Sequence, residues 1–369
     1  MPIAVHPYTE DRIPAVKAFN QRLAAGGIAP EFFFPESNIP YWLPKLDGRR
    51  IYQEYYLAVD GDVVRGGFIL KYQDFSFSGA MQPLVYYHLP VSEGIVNKAY
   101  ASVGVLMLRS ALKMEPNLFA LGMGGFDRPL PTMLKAMGWS LSAVPFFYKI
   151  HHPNAFLREI APLRQSPLGR ASAKVASLTG AGHVGIKLLH RLRTKTTNQG
   201  VATSIGAFDT WADDLWARSG THYPLAADRT ANVLNVLYPA HRNFICIQVT
   251  KSSQVIGWAV LLDTQMRDNK YFGNLRVGTI ADGFASPESA AIVIAAAAKV
   301  LENRGIDLII ANHSNTAWGA GFRENGFLQG PSNFIFAASK ALSEKLAPFE
   351  KNQHHVYFMR GDGDGPVNL

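Results

Sequence analysis

The chain has almost no cysteine. Cys246 is the only one among 369 residues, so no intramolecular disulfide framework can form. Its setting, FICIQV, is an apolar run and points to a buried thiol rather than a nucleophile. Long hydrophobic runs are missing too: none reaches the roughly 18–20 uncharged residues a spanning helix needs. The segment MPIAVHPYTEDRIPAVKAFN carries charge at once and lacks the apolar stretch of a secretory signal. These absences set the expectation of a cytoplasmic protein. No cluster of His, Cys and Asp has metal-ligand spacing, and the histidines of QHHV stand alone in a polar tail, so no metal is expected. No Ser-His-Asp arrangement is visible. LGMGGFDRP, from Leu121 to Pro129, lacks the lysine of a P-loop and the spacing of a dinucleotide fingerprint.

Acidic residues are scarce in one place. The formal net charge is +8, from 36 Lys and Arg against 28 Asp and Glu. Between Phe156 and Gly200 there are eight basic residues and one acid, Glu159, a net +7. The rest is nearly neutral. The basic character therefore describes a segment and not a folded nucleic-acid-binding face, and nucleic acid is not an expected partner.

What is present is a long internal repeat. YYLAVDGDVVRGGFILKY (Tyr55 to Tyr72) reads as a β-hairpin with an Asp-Gly turn. NFICIQVTKSSQVIGWAVLLD (Asn243 to Asp263) has the same plan with a polar turn. A third strand follows each hairpin, PLVYYHLPVS or NLRVGTIADGFA, and then a helix pattern, VGVLMLRSALKM or SAAIVIAAAAKVLENRG. A short buried strand comes next, LFALGMGG or DLIIANHS. Two thirteen-residue helical stretches follow, DRPLPTMLKAMGW and NTAWGAGFRENGF, each ending in Gly-aromatic. Glycine takes the left-handed conformation that stops a helix, and the aromatic drops back onto the sheet. Each copy closes on one more apolar run, AVPFFYKI or NFIFAAS. The order β-β-β-α-β-α-β thus occurs twice in a chain long enough for two domains. The expected organisation is a first domain over 1–155, a basic connector over 156–200, a second domain over 201–350 and a polar tail over 351–369.

This unit resembles the GNAT superfamily of acyl-CoA-dependent acyltransferases. The last helix of that family often reads N-x-x-A-x-x-L-Y-x-x-x-G-F, and Asn315 to Phe327 keeps the Asn, the spacing and the Gly-Phe. Phe322 stands at the tyrosine place, and Leu134 stands there in the first copy. The tandem arrangement is similar to mycothiol synthase and the Fem-type aminoacyl transferases. The resemblance implies an α+β fold of two GNAT-like domains, each a mixed, mostly antiparallel sheet flanked by helices. It implies transfer from an acyl-CoA such as acetyl-CoA to an acceptor amine, on a sugar or cell-envelope precursor. Two other readings stay open: a Fem-like aminoacyl-tRNA-dependent transferase, and a non-catalytic GNAT-like binding protein.

The resemblance places the CoA pyrophosphate at the N-terminus of the helix after the third strand, where free N–H groups and the helix dipole attract an anion. In the first copy this is NKAYASVGVLML, with Lys98, Ala101, Ser102, Val103 and Gly104 as binding candidates. In the second copy Glu288 sits near the first turn, where a carboxylate repels a pyrophosphate. The first copy is therefore favoured, with Asn315 as a further contact in the second. Aminolysis of a thioester needs a base for the amine. The candidates lie where the third and fourth strands end: His88 and Glu93 in the first copy, Asp282 and His313 in the second. Each also has a structural reading: His88 as a half-buried strand residue, Glu93 as a loop carboxylate, His313 and Asn315 as cap residues of the last helix.

The basic connector, residues 166–195, turns amphipathic from Val184. Val184, Leu188, Leu189 and Leu192 lie on one side, with Lys187, Arg191 and Arg193 elsewhere. Such a helix either packs across the two halves or lies on an anionic membrane surface at the inner face of the membrane.

Overall fold

Glycine and paired turn residues fix where the chain folds back on itself. In the computed structural model, Gly61 at φ 59° closes the first hairpin, and Ser252 and Ser253, at φ 49° and 65°, close its counterpart. Residues 3–37, 39–40, 42–159 and 200–363 are described. The connector at 166–195 lies outside the described residues.

In chain order the first elements are β1 (Ala4–Pro7), α1 (Ile13–Ala25), β2 (Tyr52–Asp60), β3 (Val63–Phe77), β4 (Ala80–Ser92), α2 (Val103–Met114), β5 (Leu118–Met123), α3 (Pro129–Ala136) and β6 (Ser140–Ala143). Then come β7 (Phe146–Ile150), α4 (Pro153–Glu159), β8 (Val201–Ser204), α5 (Thr210–Ser219), β9 (Leu225–Ala227), α6 (Ala231–Leu237), β10 (Ile245–Lys251), β11 (Gln254–Gln265) and β12 (Arg276–Ala285). The last are α7 (Ala290–Asn303), β13 (Leu308–Asn312), α8 (Thr316–Glu324), β14 (Leu328–Gly330), β15 (Phe334–Ala338), α9 (Lys340–Lys345) and α10 (Phe349–Asn352).

The chain forms two units that interleave along the sequence. The first is Met1–Ser142 with Ile335–Asn352, and the second is Ala143–Phe334 with Gln353–Leu369. The first sheet runs β1-β2-β3-β4-β5-β15-β6, and the second, seven-stranded, runs β14-β7-β13-β12-β11-β10-β8. The closing runs have changed places. β7, expected to finish the first copy, pairs antiparallel with β13 (Leu308↔Ile150) and β14 (Leu328↔Tyr148) in the second sheet. β15 lies between β5 and β6 in the first. The polar tail expected from 351 differs as well: Val356, Tyr357, Phe358 and Met359 are all fully buried in the second unit.

In each sheet a parallel pairing joins the third strand of the repeat to a strand that follows a helix. β4 pairs parallel with β5 only at Val85↔Leu118 and Tyr86↔Phe119. β12 pairs parallel with β13 from Val277↔Leu308 to Ile280↔Ala311. Beyond those residues the paired strands diverge, and each sheet splays.

One helix is seated on each sheet by a glycine. A Cβ at Gly66 would lie 2.8 Å from Met107 Sδ of α2 and 2.9 Å from the Val91 carbonyl oxygen. A Cβ at Gly257 would collide with Val293 of α7 and lie 2.7 Å from the Phe284 carbonyl oxygen. The equivalent glycines of the repeat thus serve the same packing. The helix stops read from the sequence are present, with Gly138 at φ 82° and Gly326 at φ 79°, and Trp139 and Phe327 are buried after them.

Gly257→Ala should therefore destabilise the protein by about 1–3 kcal/mol through overpacking. Gly206→Ala, with no atom within 4 Å of the added carbon, should leave the urea unfolding midpoint nearly unchanged.

Candidate active site

The loop before α2 is built to hold still. Ser92 accepts a hydrogen bond from Gly94 N, and Asn97 accepts one from Ala99 N. Glu93 is buried and takes hydrogen bonds from Arg22 Nη2 and Arg65 Nη1, each at 3.1 Å. The Arg65 guanidinium in turn lies 4.0 Å over the Tyr100 ring. Glu93 is thus a clamp between α1, β3 and this loop, and its two arginines occupy the carboxylate that the sequence offered as a base. The first turn of α2 is left open. Lys98, Ala101 and Ser102 are exposed, and the Ser102 side chain makes no capping hydrogen bond. Val103 differs from expectation: its side chain is fully buried, so only its backbone N–H can serve a ligand. Gly104 is half-buried, and a Cβ there would meet only Met133 of α3, at 3.6 Å.

The splay of β4 and β5 begins one residue past Tyr86. Tyr86 Oη donates across the gap to the Leu121 carbonyl oxygen, at 3.3 Å, and His88 Nδ1 lies 3.2 Å from the same hydroxyl. A bulge at Leu89 and Pro90 separates the pairs Ile69↔His88 and Gly67↔Val91. Bulges of this kind re-aim side chains beside functional sites. Gly66 faces α2 while Gly67 faces Phe34, so the two residues mark opposite faces of the sheet. Tyr86 and His88 share the Phe34 face, because they lie opposite Lys71 and Ile69.

The second unit fills the equivalent place with its own chain. Residues 354–362 run between the diverging ends of β12 and β13. Ser314 N donates to Phe358 O, Phe358 N to Ser314 Oγ, Thr316 N to His354 O, and Tyr357 N to Leu225 O. Tyr357 Oη donates to the Gly283 carbonyl oxygen at 2.5 Å. The segment is pinned by a buried ion triad. Arg229 Nη2 donates to Asp282 Oδ1 at 3.2 Å and to Asp362 Oδ1 at 2.6 Å, and all three side chains are fully buried. Tyr238 Oη donates to Asp282 Oδ2 at 2.5 Å. A Cβ at Gly361 would collide with Tyr238 Oη and lie 2.7 Å from the Asp282 carboxylate, so only glycine lets the segment approach this closely.

Asp282 and His313 are brought into one cluster, but not into an open site. Burial pushes the Asp282 carboxyl up to about 6, against the pull of Arg229. His313 is fully buried, stacked 4.8 Å from Trp318 and edge-on to Tyr357 at 4.5 Å. Burial, and then the Arg229 charge, hold it well below the usual histidine range, so it stays neutral. Its Nδ1 accepts from Asn315 N. Asn315 caps α8 through Ala317 N and donates to His355 O. Asp282, His313 and Asn315 are thus buried and bonded to residues of their own unit, where the sequence had them at exposed strand ends. Cys246 is buried, and its thiol is pushed up to about 11 by that burial. At the start of α7, Glu288 is held below its usual value by hydrogen bonds from its own backbone and Ser286. A Cβ at Gly321 of α8 would lie 3.1 Å from Ala291 Cα and N, so α8 covers the first turn of α7.

The chain as a whole is similar in fold to solved structures. One is a protein of unknown function from Enterococcus faecalis V583, described as a probable N-acyltransferase. It is 10% identical over 94% of this chain and 74% of its own, with a TM-score of 0.52. Another is Saccharomyces cerevisiae N-myristoyltransferase with bound myristoyl-CoA, 8% identical over 92% of this chain and 83% of its own, with a TM-score of 0.53. In fold, the chain is similar to both. At such identities the likeness shows the fold alone. No family model and no curated protein matches the sequence.

Phe322 of α8 stands at the place where the resemblance implies a tyrosine. It is buried and stacks on Phe147 at 4.8 Å, so it offers no hydroxyl. The sequence reading missed Tyr86, Arg229 and Asp362. A signal for Arg229 was present: a cation two residues past the apolar run LAA.

The Asp282 carboxyl sets a pH dependence. An unfolded aspartate titrates near 3.9. The folded chain keeps the proton to about 6, so stability falls as pH rises from about 4 to 6, by about 1–3 kcal/mol. Asp282→Asn should flatten that slope in urea titrations at pH 4, 5, 6 and 7. Arg229→Leu, which strands buried carboxylates, should cost about 3–5 kcal/mol at pH 7.

Proposed function

We propose that the chain is an N-acyltransferase that moves an acyl group from acyl-CoA to an amine, with the donor held by the first unit. The observation that carries this reading is the open first turn of α2 beside the splay of β4 and β5. Unpaired N–H groups and the positive end of the helix dipole favour a pyrophosphate there. Lys98 adds a cation, and no acidic residue lies in the first turn. The corresponding start of α7 carries the Glu288 carboxylate and lies under α8. Acetyl-CoA is the simplest donor, and an amine on a sugar or cell-envelope precursor is the acceptor class that the resemblance implies.

The chemistry assigned to the first unit is aminolysis of the thioester. The amine lone pair forms the C–N bond, the C–S bond breaks, and its electron pair leaves on sulfur. The nitrogen gives up one proton, and we assign its acceptance to His88. The Tyr86 hydroxyl donates to Leu121 O and accepts from His88 Nδ1. That bond orients the ring and leaves proton acceptance to Nε2. The thiolate is protonated from water.

Calorimetric titration of CoA and acetyl-CoA tests the donor site. One site per chain is expected. Ala101→Glu, at an exposed position, should weaken it at least about tenfold without changing the melting temperature. Glu288→Gln in the second unit should leave it unchanged. Absence of heat from both ligands removes the reading. With an acceptor in hand, His88→Gln should lower kcat by about 10²–10⁴-fold.

A further inference from the structure

The face of the first sheet that carries Tyr86 and His88 holds a buried polar row. Gln53 of β2 lies directly opposite Lys71 of β3, and Lys71 lies directly opposite Tyr86 of β4. Residues paired in this way present neighbouring side chains on one face. Two residues further along β3, on the same face, is Gln73. Gln53, Lys71 and Gln73 are only 2%, 1% and 2% exposed. Nearby on this face the packing is apolar, built from Phe19, Leu23, Phe34, Leu57 and Ile69. A stable sheet needs no polar row there.

One member of the row, Gln73, is left unsatisfied among the described residues. Tyr55 Oη donates to Gln53 Oε1 at 3.1 Å. Both amide atoms of Gln73, Nε2 and Oε1, are shut off from solvent and have no hydrogen-bond partner among the described residues. Buried polar groups are ordinarily paired, so an amide with both ends idle calls for a bound partner. Lys71 occupies the adjacent position on this face, with its ammonium 5.5 Å from the Trp42 ring centroid. A cation and an amide donor on adjacent same-face positions suit a group with two anionic oxygens. The Gln73 oxygen can accept from an ammonium or hydroxyl of the same ligand.

We infer that the acceptor amine carries an anionic group, a carboxylate or a phosphate, held by Lys71 and Gln73 on the Phe34 face of the first sheet. The inference rests on the acyltransferase reading. That reading puts the donor at the start of α2, which belongs to the opposite face, and brings its acyl group to the splay. The row meets the splay at Tyr86, the last residue of β4 to pair with β5. An acceptor anchored at Lys71 and Gln73 thus places its amine toward His88. Lys71 and Gln73 are specificity-determining residues in this account, since neither takes part in bond making.

The test needs no acyl donor. Calorimetry would measure binding of two matched pairs, phosphoethanolamine against ethanolamine and L-alanine against L-alaninamide, each up to about 10 mM. The anionic member of one pair should bind at least tenfold more tightly than its neutral counterpart. The phosphate pair and the carboxylate pair tell which anion is used. Gln73→Leu and Lys71→Met should each erase that preference, and Gln73→Leu keeps the test open if Lys71→Met fails to fold. Equal binding within both pairs, no binding of any member, or a preference unchanged in both variants overturns the inference. CoA titrations of the same variants keep the two readings apart. Anion-selective binding without CoA binding sinks the acyl-donor reading, and CoA binding without anion selectivity sinks this one.

Discussion

A single guanidinium nitrogen organises the second unit. Arg229 Nη2 meets both Asp282 on β12 and Asp362 on the C-terminal segment, with all three side chains out of water. Charges buried this deeply are costly, and they persist only when paired and hydrogen bonded. Tyr238, Gly283 N and Met359 N supply the remaining bonds to the two carboxylates. Once that triad forms, the segment 354–362 has one place to lie, between the diverging ends of β12 and β13. Tyr357 of that segment packs against Trp318 and His313.

The same fold is therefore used in two ways. In the second unit the splay is closed by the chain itself, the helix start beside it is covered by α8, and a carboxylate occupies its end. In the first unit the helix start is exposed, and the loop leading to it is braced by Glu93 between two arginines. The splay there is crossed by one tyrosine hydroxyl. The two units present equivalent slots, and the residues filling them differ. Gly66 and Gly257 show what was kept: the close seat of a helix on the sheet.

The parts legible in the sequence were local. Hairpin turns, helix stops and the order of elements follow from residues a few positions apart, and the structure has them where the patterns lie. The exchange of β7 and β15 was not legible. An apolar run such as PFFYKI or FIFAA satisfies either sheet edge, and nothing local names the partner strand. The C-terminal segment was read as a polar tail because VYFM is only four residues long between polar flanks. Its burial depends on Arg229, 133 residues from Asp362. Asp282 and His313 did stand out as polar residues at strand ends. Their roles depended on partners that the sequence does not place beside them. Lys71 and Gln73 fit the alternation of β3 so well that neither stood out.

The central claim is that the acyl donor is bound by the first unit alone. Hydrogen–deuterium exchange with and without saturating CoA tests it most directly, because it reports on each helix start separately. Slowed exchange confined to residues 98–107 and the adjoining end of β5 is the predicted result. Slowed exchange at residues 286–294, at the start of α7, with no change near Ala101 and Gly104, would contradict it.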